Sequence, residues 1–502
     1  MSLPPSAPLS GGTGGPDALR PLLEQVLTGL RAGAEGRAGP IPAGRPEQLA
    51  DQARAAFGLG LGPDDDALPR LTEFLAYGSA DPADPACAAH LHCPPLAVAA
   101  AADLAVSALN PSLDSWDQAP VATALETALL AELAGLVGYH PGAAAGVLTS
   151  GGTESNLMGL MLARDQILAA DVELDGLPAG VRPTIVASRA AHFSVQRAAA
   201  LLGLGERAVR VVPVDRELRM DPAGLAEVLA DTVRAGATPI AVVATAGNTD
   251  TGAVDPLHRA ADLAAEYGAW LHVDAAYGGG ALLSDRLAPL LDGLARADSV
   301  SLDWHKLGWQ PTAAGVFLVR RAQTYASLAR RAVYLNPDDD ERAGYPSLLG
   351  LSLRTTRRAD AFKIAVTLRT LGRAGLGRLV DTCHDLALVA AETVRAEPVL
   401  ELHCEPILTT VVFRYLPDSR DPAEVDRCNA ELRRALLRAG RAVVGRTELP
   451  GEGPGRVRLK LTLLNPHTSG AQVAALLAEV VRAGRSVERG AASGGSESGG
   501  SV

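Results

Sequence analysis

At 502 residues the chain is longer than one ordinary domain, so two domains with appended segments are expected. A hydrophobic fraction of 47% supplies a large core and excludes global disorder, and with aromatics at 4% that core must be small-residue and aliphatic. The net charge of −11 is spread over interspersed acids and bases, which excludes the basic face that tracks a nucleic-acid backbone.

In chain order, residues 1–16 are rich in Gly, Pro and Ser, with neither a basic start nor an apolar stretch. They read as a disordered tail and not as a signal peptide. Residues 17–110 form a mainly helical N-terminal segment. Within it Gly58-Leu-Gly-Leu-Gly62 lacks a leading strand and the spacing of a nucleotide loop, so it reads as a loop ending a helix. The apolar run 95–109 carries polar breaks and is too short to span a bilayer. Residues 111–370 form a large domain, with strands expected at 146–150, 184–188, 209–214, 239–247, 270–277, 299–304 and 315–320. Helices such as 156–169 and 223–234 lie between them. Most of these strands are continuously apolar, as strands covered on both faces are. The alternation predicts an α/β fold with a mostly parallel central sheet flanked by helices. Residues 371–488 mix helices with strand runs at 408–415 and 456–464, a smaller C-terminal α/β domain followed by a second disordered tail at 489–502. The five cysteines, Cys87, Cys93, Cys383, Cys404 and Cys428, are scattered and never spaced as Cys-x-x-Cys. That fits a reducing, cytoplasmic setting and argues against a disulfide frame or a zinc site.

Four short segments could carry chemistry. Thr-Ser-Gly-Gly-Thr-Glu-Ser-Asn at 149–156 follows a strand and opens a helix, where free N–H groups and the helix dipole suit a phosphate; it also reads as a plain N-cap with a tight turn. Trp270-Leu-His-Val-Asp-Ala-Ala-Tyr277 places Asp274 near the C-terminal end of an apolar strand. A carboxylate there needs a cation or strong donor, such as a pyridinium N–H, or else caps local backbone. Ser301-Leu-Asp-Trp-His-Lys306 ends another apolar strand on an amine. A partly desolvated amine suits Schiff-base chemistry, with Asp303 and His305 poised around it, whereas an exposed one is an ordinary surface lysine. His192, in Ala191-His-Phe-Ser194, is either structural or an imidazole that stacks on a heteroaromatic ring and donates to a carboxylate. Together these groups stand at the C-terminal strand ends of one expected sheet, the crevice where such folds bind ligands. A phosphate anchor, an anion for a ring nitrogen and an amine are what pyridoxal phosphate requires of a protein.

The segments TSGGTESN, AAHFSVQRAA, HVDAAYGG and SLDWHK, with SLRTTRRADAFK further on, resemble those of the group II pyridoxal-phosphate decarboxylases. This fold-type I family includes aromatic amino acid, glutamate, cysteine sulfinate and 2,4-diaminobutyrate enzymes. The resemblance spans roughly residues 85–375 and extends to the 32-residue separation of Asp274 and Lys306. It implies that Lys306 carries the cofactor, Asp274 pairs with its pyridine nitrogen, His192 stacks on one ring face and Ala276 packs the other. It also implies that Gly152, Thr153 and His305 lie about the phosphate. Asp303 stands where relatives often have Asn, and Asn248, in Ala244-Thr-Ala-Gly-Asn-Thr249, stands where they have Thr near the cofactor.

His90-Leu-His-Cys-Pro-Pro95 and Ser112-Leu-Asp-Ser-Trp-Asp-Gln-Ala-Pro120 are most similar to segments of bacterial 2,4-diaminobutyrate decarboxylases. Where relatives acting on aromatic amino acids present aromatic side chains, this chain offers His90, His92, Asp114 and Asp117. A buried carboxylate needs a cationic partner, so a diamino acid is the expected substrate; alternatively the two aspartates only cap a helix beginning near Ala119. The segment 338–345, entered through Pro337, reads as a loop able to close over the site, with Tyr345 as candidate acid. The expected reaction is decarboxylation of a small polar amino acid. Fold and cofactor leave open an aminotransferase, a carbon–carbon lyase or an aldehyde-forming decarboxylase, and a non-catalytic interaction protein is a third possibility. No nucleic-acid or membrane partner is expected, and the resemblance implies a homodimer.

Overall fold

In the computed structural model of the chain the described residues are 8–56, 58, 64–329, 332 and 334–494. They fall into two compact units. The larger holds Pro95–His384 and Pro406–Thr410; the smaller joins the chain up to Pro94 with Asp385–Glu405 and the chain from Val411. Both boundaries differ from those expected at 110 and 370. Helix α1 (Ala97–Leu109) is tied into the larger unit because its Asp103 bridges Arg358 at 2.6 Å and Lys363 at 3.0 Å. The N-terminal stretch, expected to stand as a segment of its own, belongs instead with the C-terminal region, where strand Cys87–Ala88 pairs in parallel with Val443 and Val444.

The larger unit is built on seven strands, β1 (Ala145–Thr149), β2 (Pro183–Ser188), β3 (Val209–Val212), β4 (Thr238–Thr245), β5 (Trp270–Ala275), β6 (Ser299–Asp303) and β7 (Gly315–Val319). Their order is β3-β2-β4-β5-β6-β7-β1. Neighbours from β3 through β6 run parallel, while β7 is antiparallel to both β6 and β1. Each lies within two residues of its expected position. Every residue of β5, β6 and β7 is buried; β7 is accordingly apolar without alternation, while β5 and β6 bury polar side chains, His272, Asp274, Ser299, Ser301 and Asp303, that hydrogen bonds must satisfy. The register sets Thr245 beside Asp274 and Asp274 beside Ser301, so the C-terminal strand ends stand in one row. Helix α2 (Pro120–Val137) precedes the sheet, and α3 (Gly152–Leu168) and α4 (Ser194–Leu201) follow β1 and β2. Met158 and Leu162 of α3 share a core with Ile185, Val243, Trp270 and Phe317 of the sheet.

Helix α2 is the one described helix long and apolar enough to cross a membrane, by length and composition alone. The sequence pattern had singled out only the shorter run 95–109. Its Glu126, however, pairs with Arg357 at 2.6 Å, with both side chains 2% exposed or less. Burial raises the Glu126 carboxyl pKa against the opposing pull of that guanidinium. Leu129, Leu130 and Leu133 are buried on the same helix. Replacing one partner of such a pair leaves a buried group without its counter-charge. Arg357→Leu is expected to lower stability by about 3–5 kcal/mol, read as a fall in the unfolding midpoint, and an unchanged midpoint would show the pair to be idle.

The smaller unit carries a five-stranded sheet of β8 (Leu400–Leu402), β9 (Thr410–Tyr415), β10 (Val443–Glu448) and β11 (Val457–Thr462) with Cys87–Ala88, in the order Cys87–Ala88, β10, β11, β9, β8. Only β9 and β11 were expected; the others are short or, like β10 with its Arg446 and Glu448, broken by charge. Phe413, Leu432, Leu459 and Val480 pack its core. Helix Gly15–Arg37 begins, and helix Gly470–Gly494 ends, inside the stretches expected as disordered tails, so those boundaries at 16 and 489 are corrected. Of the Gly58–Gly62 motif, all but Gly58 lies outside the described residues.

Candidate active site

Lys306 follows the last residue of β6 by three positions, and its N–H donates to the Asp303 carbonyl at 3.2 Å. That turn folds the side chain back over the strand end. Nζ lies 2.8 Å from Asp303 Oδ2, with side-chain exposures of 18% for the lysine and 2% for the aspartate. The amine is thus partly desolvated and still open to an incoming group. His305 Nε2 lies 3.5 Å from the same oxygen, and its Nδ1 accepts from the Ala314 N–H at 3.3 Å. The neutral ring therefore carries its proton on Nε2, toward Asp303. Burial lowers its pKa from the ordinary histidine value. The other carboxylate oxygen, Asp303 Oδ1, is buried and takes no hydrogen bond from the protein. An oxygen left so costs on the order of 1–3 kcal/mol, and it marks a place for a donor from outside the chain.

Across from it stands the N-terminus of α3. Gly151 has φ of +150°, and a Cβ there would lie 3.1 Å from His305 Cε1; one on Gly152 would lie 3.0 Å from the Ala276 Cβ and 3.3 Å from Asp303 Oδ2. A side chain at either position would crowd His305, Asp303 and Ala276, and the positive φ of Gly151 itself favours glycine. No side chain caps the helix, whereas Glu154 accepts from the Ser150 N–H at 2.7 Å and holds Arg354 at 2.9 Å. The first-turn N–H groups of a 17-residue helix thus face an open cup suited to an anion, with the exposed Thr153 at its rim.

Asp274, 6% exposed, is the penultimate residue of β5. Its Oδ2 accepts from Asn156 Nδ2 at 2.7 Å, and its Oδ1 accepts from the Ala276 N–H at 3.1 Å and Ser301 Oγ at 3.3 Å. Among the described residues no Lys or Arg pairs with it. His192 Nδ1 lies 2.8 Å from Ser194 Oγ. Burial depresses the His192 pKa, against the attraction of Asp274 and Asp303. A lysine amine, an anion cup and a carboxylate held only by neutral donors therefore converge at adjacent strand ends.

The model of the pyridoxal-dependent decarboxylase conserved domain matches residues 64–416, more than half of the chain. The chain belongs to the pyridoxal-dependent decarboxylase family. This decarboxylase is 45% identical over 404 residues, 80% of its length and 79% of the relative's, to the L-2,4-diaminobutyrate decarboxylase of Rhizobium meliloti (strain 1021). It is 37% identical over 441 residues, 85% of each chain, to that of Acinetobacter baumannii. Among solved structures it resembles the glutamate decarboxylase domain of a diaminobutyrate-pyruvate transaminase and L-2,4-diaminobutyrate decarboxylase from Vibrio parahaemolyticus. There the TM-score is 0.84 at 33% identity, covering 95% of this chain and 98% of the other. The fold is fold-type I, the cofactor is pyridoxal phosphate, and the enzyme is an amino acid decarboxylase.

Within this decarboxylase, Lys306, Asp303, His305, Gly152, Asp274, Ala276 and His192 gather as one constellation. Other expected site residues do not join it. Asn248, expected near the cofactor, uses its amide on backbone, donating to the Leu218 carbonyl of a distant loop at 3.1 Å and accepting from the Asp250 and Thr251 N–H groups. Asp114 accepts from Ser112 and Thr356 hydroxyls, and Asp117 from Ser115. Neither caps α2, whose N-cap is Ala119 without a side-chain bond. Tyr345 is 46% exposed and sets its ring edge-on to Trp116 at 4.9 Å, with no bond to Lys306. His90 and His92 are exposed and belong to the smaller unit. Four residues went unassigned in the sequence reading: Asn156, Ser194, His272 and Ser301. Each lies in a quoted motif, and His272 carried its own signal, a polar side chain two residues before Asp274 in an otherwise apolar strand.

Proposed function

We propose that this enzyme decarboxylates L-2,4-diaminobutyrate, giving 1,3-diaminopropane and carbon dioxide. The observation that carries the substrate is the 45% identity, over four fifths of both chains, to an enzyme of that name. In this proposal Asp114 pairs with the substrate's second amine: within one chain it stands apart from the Lys306 constellation, its oxygens take only the Ser112 and Thr356 hydroxyls, and among the described residues no Lys or Arg pairs with it. A second amine on the substrate supplies the missing cation, whereas glutamate or cysteine sulfinate brings like charge.

The residues present fit pyridoxal phosphate. The glycine cup that a Cβ would fill matches its phosphate, and the cation-free Asp274 matches its ring nitrogen. Gly152, Thr153 and His305 would hold the phosphate, Asp274 the ring nitrogen, His192 and Ala276 the ring faces, and Lys306 the carbonyl carbon. Bound there, the cofactor supplies an electron sink for the bond that breaks in decarboxylation. Asp303 keeps the Lys306 amine at the strand end. Asp274 offers a fixed negative charge that needs no reorganisation during reaction.

A homodimer is part of the proposal, since Leu109, Val121, Phe193 and Leu201 of the larger unit are all more than half exposed. That none of the five cysteines lies in a disulfide among the described residues supports a cytoplasmic setting. The deciding experiment measures kcat/KM for carbon dioxide release from diaminobutyrate, ornithine, glutamate, aspartate and tyrosine. Diaminobutyrate should lead, and an acidic or aromatic winner refutes the proposal. Asp114→Asn should raise KM for diaminobutyrate on the order of tenfold, the size of one lost contact to a charge, while leaving cofactor affinity unchanged.

A further inference from the structure

Behind Asp274 lies a buried hydrogen-bond chain whose proton positions are fixed by its two ends. Trp270 Nε1–H can only donate, and it donates to Ser299 Oγ at 2.8 Å. At the other end the Asp274 carboxylate can only accept, so the atom of Asn156 facing it at 2.7 Å is the amide nitrogen. The second proton of that nitrogen goes to Ser194 Oγ at 2.9 Å. Asn156 Oδ1 is then an acceptor, which forces His272 Nε2, 2.9 Å away, to donate. Ser301 Oγ shares its single proton between this oxygen at 3.0 Å and Asp274 Oδ1 at 3.3 Å, so the amide of Asn156 makes two donations and two acceptances. His272 is fully buried, and burial pushes its pKa down to about 4, so the ring is neutral and its Nδ1 accepts from Ser299 Oγ at 2.8 Å. Gly159 on α3 makes room for that ring, since a Cβ there would lie 2.6 Å from His272 Nδ1.

The chain ends on His192. Ser194 Oγ, already accepting from Asn156, turns its proton to His192 Nδ1 at 2.8 Å. The Ser194 N–H, which can only donate, points at the same nitrogen at 3.3 Å. Two donors on Nδ1 leave the ring proton on Nε2, and they oppose a second proton. We propose that Asn156, relayed through Ser194 and backed by His272, is a positioning residue that fixes His192 as a neutral Nε2–H donor while it aligns Asp274. His192 then serves as a donor to an anionic group and not as the imidazolium that delivers a proton. One amide couples the carboxylate assigned to the ring nitrogen with the imidazole assigned to the ring face, and so the inference rests on the site assignments of the proposed function.

The test is nitrogen NMR of the cofactor-loaded enzyme labelled with 15N-histidine. The chain has ten histidines, and His192 is assigned by the signal missing from His192→Asn. Expected is an unprotonated Nδ1 and protonated Nε2 that do not titrate between about pH 6 and 8.5, astride the ordinary histidine value. Charged groups facing His192 are Asp274 on β5, Asp303 and Lys306 at the end of β6, and Arg197 on the α4 helix that follows it, and all four stay in the variants used. Ser194→Ala removes one donor to Nδ1, so the His192 pKa should rise by about one unit and kcat should gain a new limb on its pH profile. Gly159→Ala, which displaces His272 without touching His192, should shift the same 15N signals and lower kcat on the order of tenfold with little change in KM. A wild-type His192 with Nδ1 protonated, or one that titrates near pH 6.5, overturns the proposal. So do Ser194→Ala and Gly159→Ala spectra identical to wild type. Because the spectrum is read without substrate, a different preferred amino acid defeats the substrate assignment and leaves this result standing.

Discussion

Lys306→Ala should abolish turnover, a loss on the order of 10⁴-fold or more, as when a covalent catalytic group is removed. Its Nζ is the amine at the strand ends, 2.8 Å from Asp303 and 18% exposed, and the other constellation members are carboxylates, imidazoles and backbone. The other lysine of the larger unit's motifs, Lys363, cannot substitute. It is 1% exposed and locked between Asp103 and Asp360 at 3.0 and 3.1 Å. The variant should still bind pyridoxal phosphate through the α3 cup, more weakly, because those contacts do not involve the lysine. Borohydride treatment of the loaded wild type, followed by peptide mass mapping, should place the reduced adduct on Lys306. An adduct on Lys363, or turnover retained in the variant, would overturn the assignment.

The fold and the centre of the site were legible because they depend on local pattern. Near-continuous apolar runs such as 239–247 and 315–319 need both faces covered, and only a sheet between helix layers does that. Asp274 and Lys306 stood out because a charge at the end of such a run demands a reason. What the sequence hid is long-range. Nothing near Asn156 announces that its amide will meet His272, 116 positions away, and that partnership exists only once β5 lies beneath α3. The domain boundaries were hidden for the same reason. Asp103 gives no sign of Arg358, 255 positions on, so α1 was grouped with the helices before it. Asn248 hid its partners in the same way: its place in a motif suggested a ligand contact and gave no sign that its amide would hold the Leu218 carbonyl, 30 positions away, and two N–H groups. The strands of the smaller unit escaped notice where charge interrupts them, as Arg446 and Glu448 do in β10.

Asp274→Asn should slow the chemical step on the order of 10²–10³-fold, the usual effect of removing one preorganised electrostatic partner. Asp274 is 6% exposed, and its three donors, Asn156 Nδ2, the Ala276 N–H and Ser301 Oγ, are all neutral. Three hydrogen bonds orient the carboxylate without cancelling its charge, so that charge is available to a protonated ring nitrogen. Asparagine keeps the shape and removes the charge. It also turns one of the two oxygens into a donor, which must then face either the Asn156 amide N–H or the Ala276 N–H. That clash should cost about 1–3 kcal/mol of stability, a loss separable from the electronic effect by measuring the unfolding midpoint beside kcat. Asp274→Glu completes the comparison, since it keeps the charge and disturbs the geometry. If the charge is what matters, the glutamate variant should recover part of the rate that asparagine loses, although both are destabilised. Near wild-type kcat in Asp274→Asn would show instead that the carboxylate only braces the ends of β5 and β6.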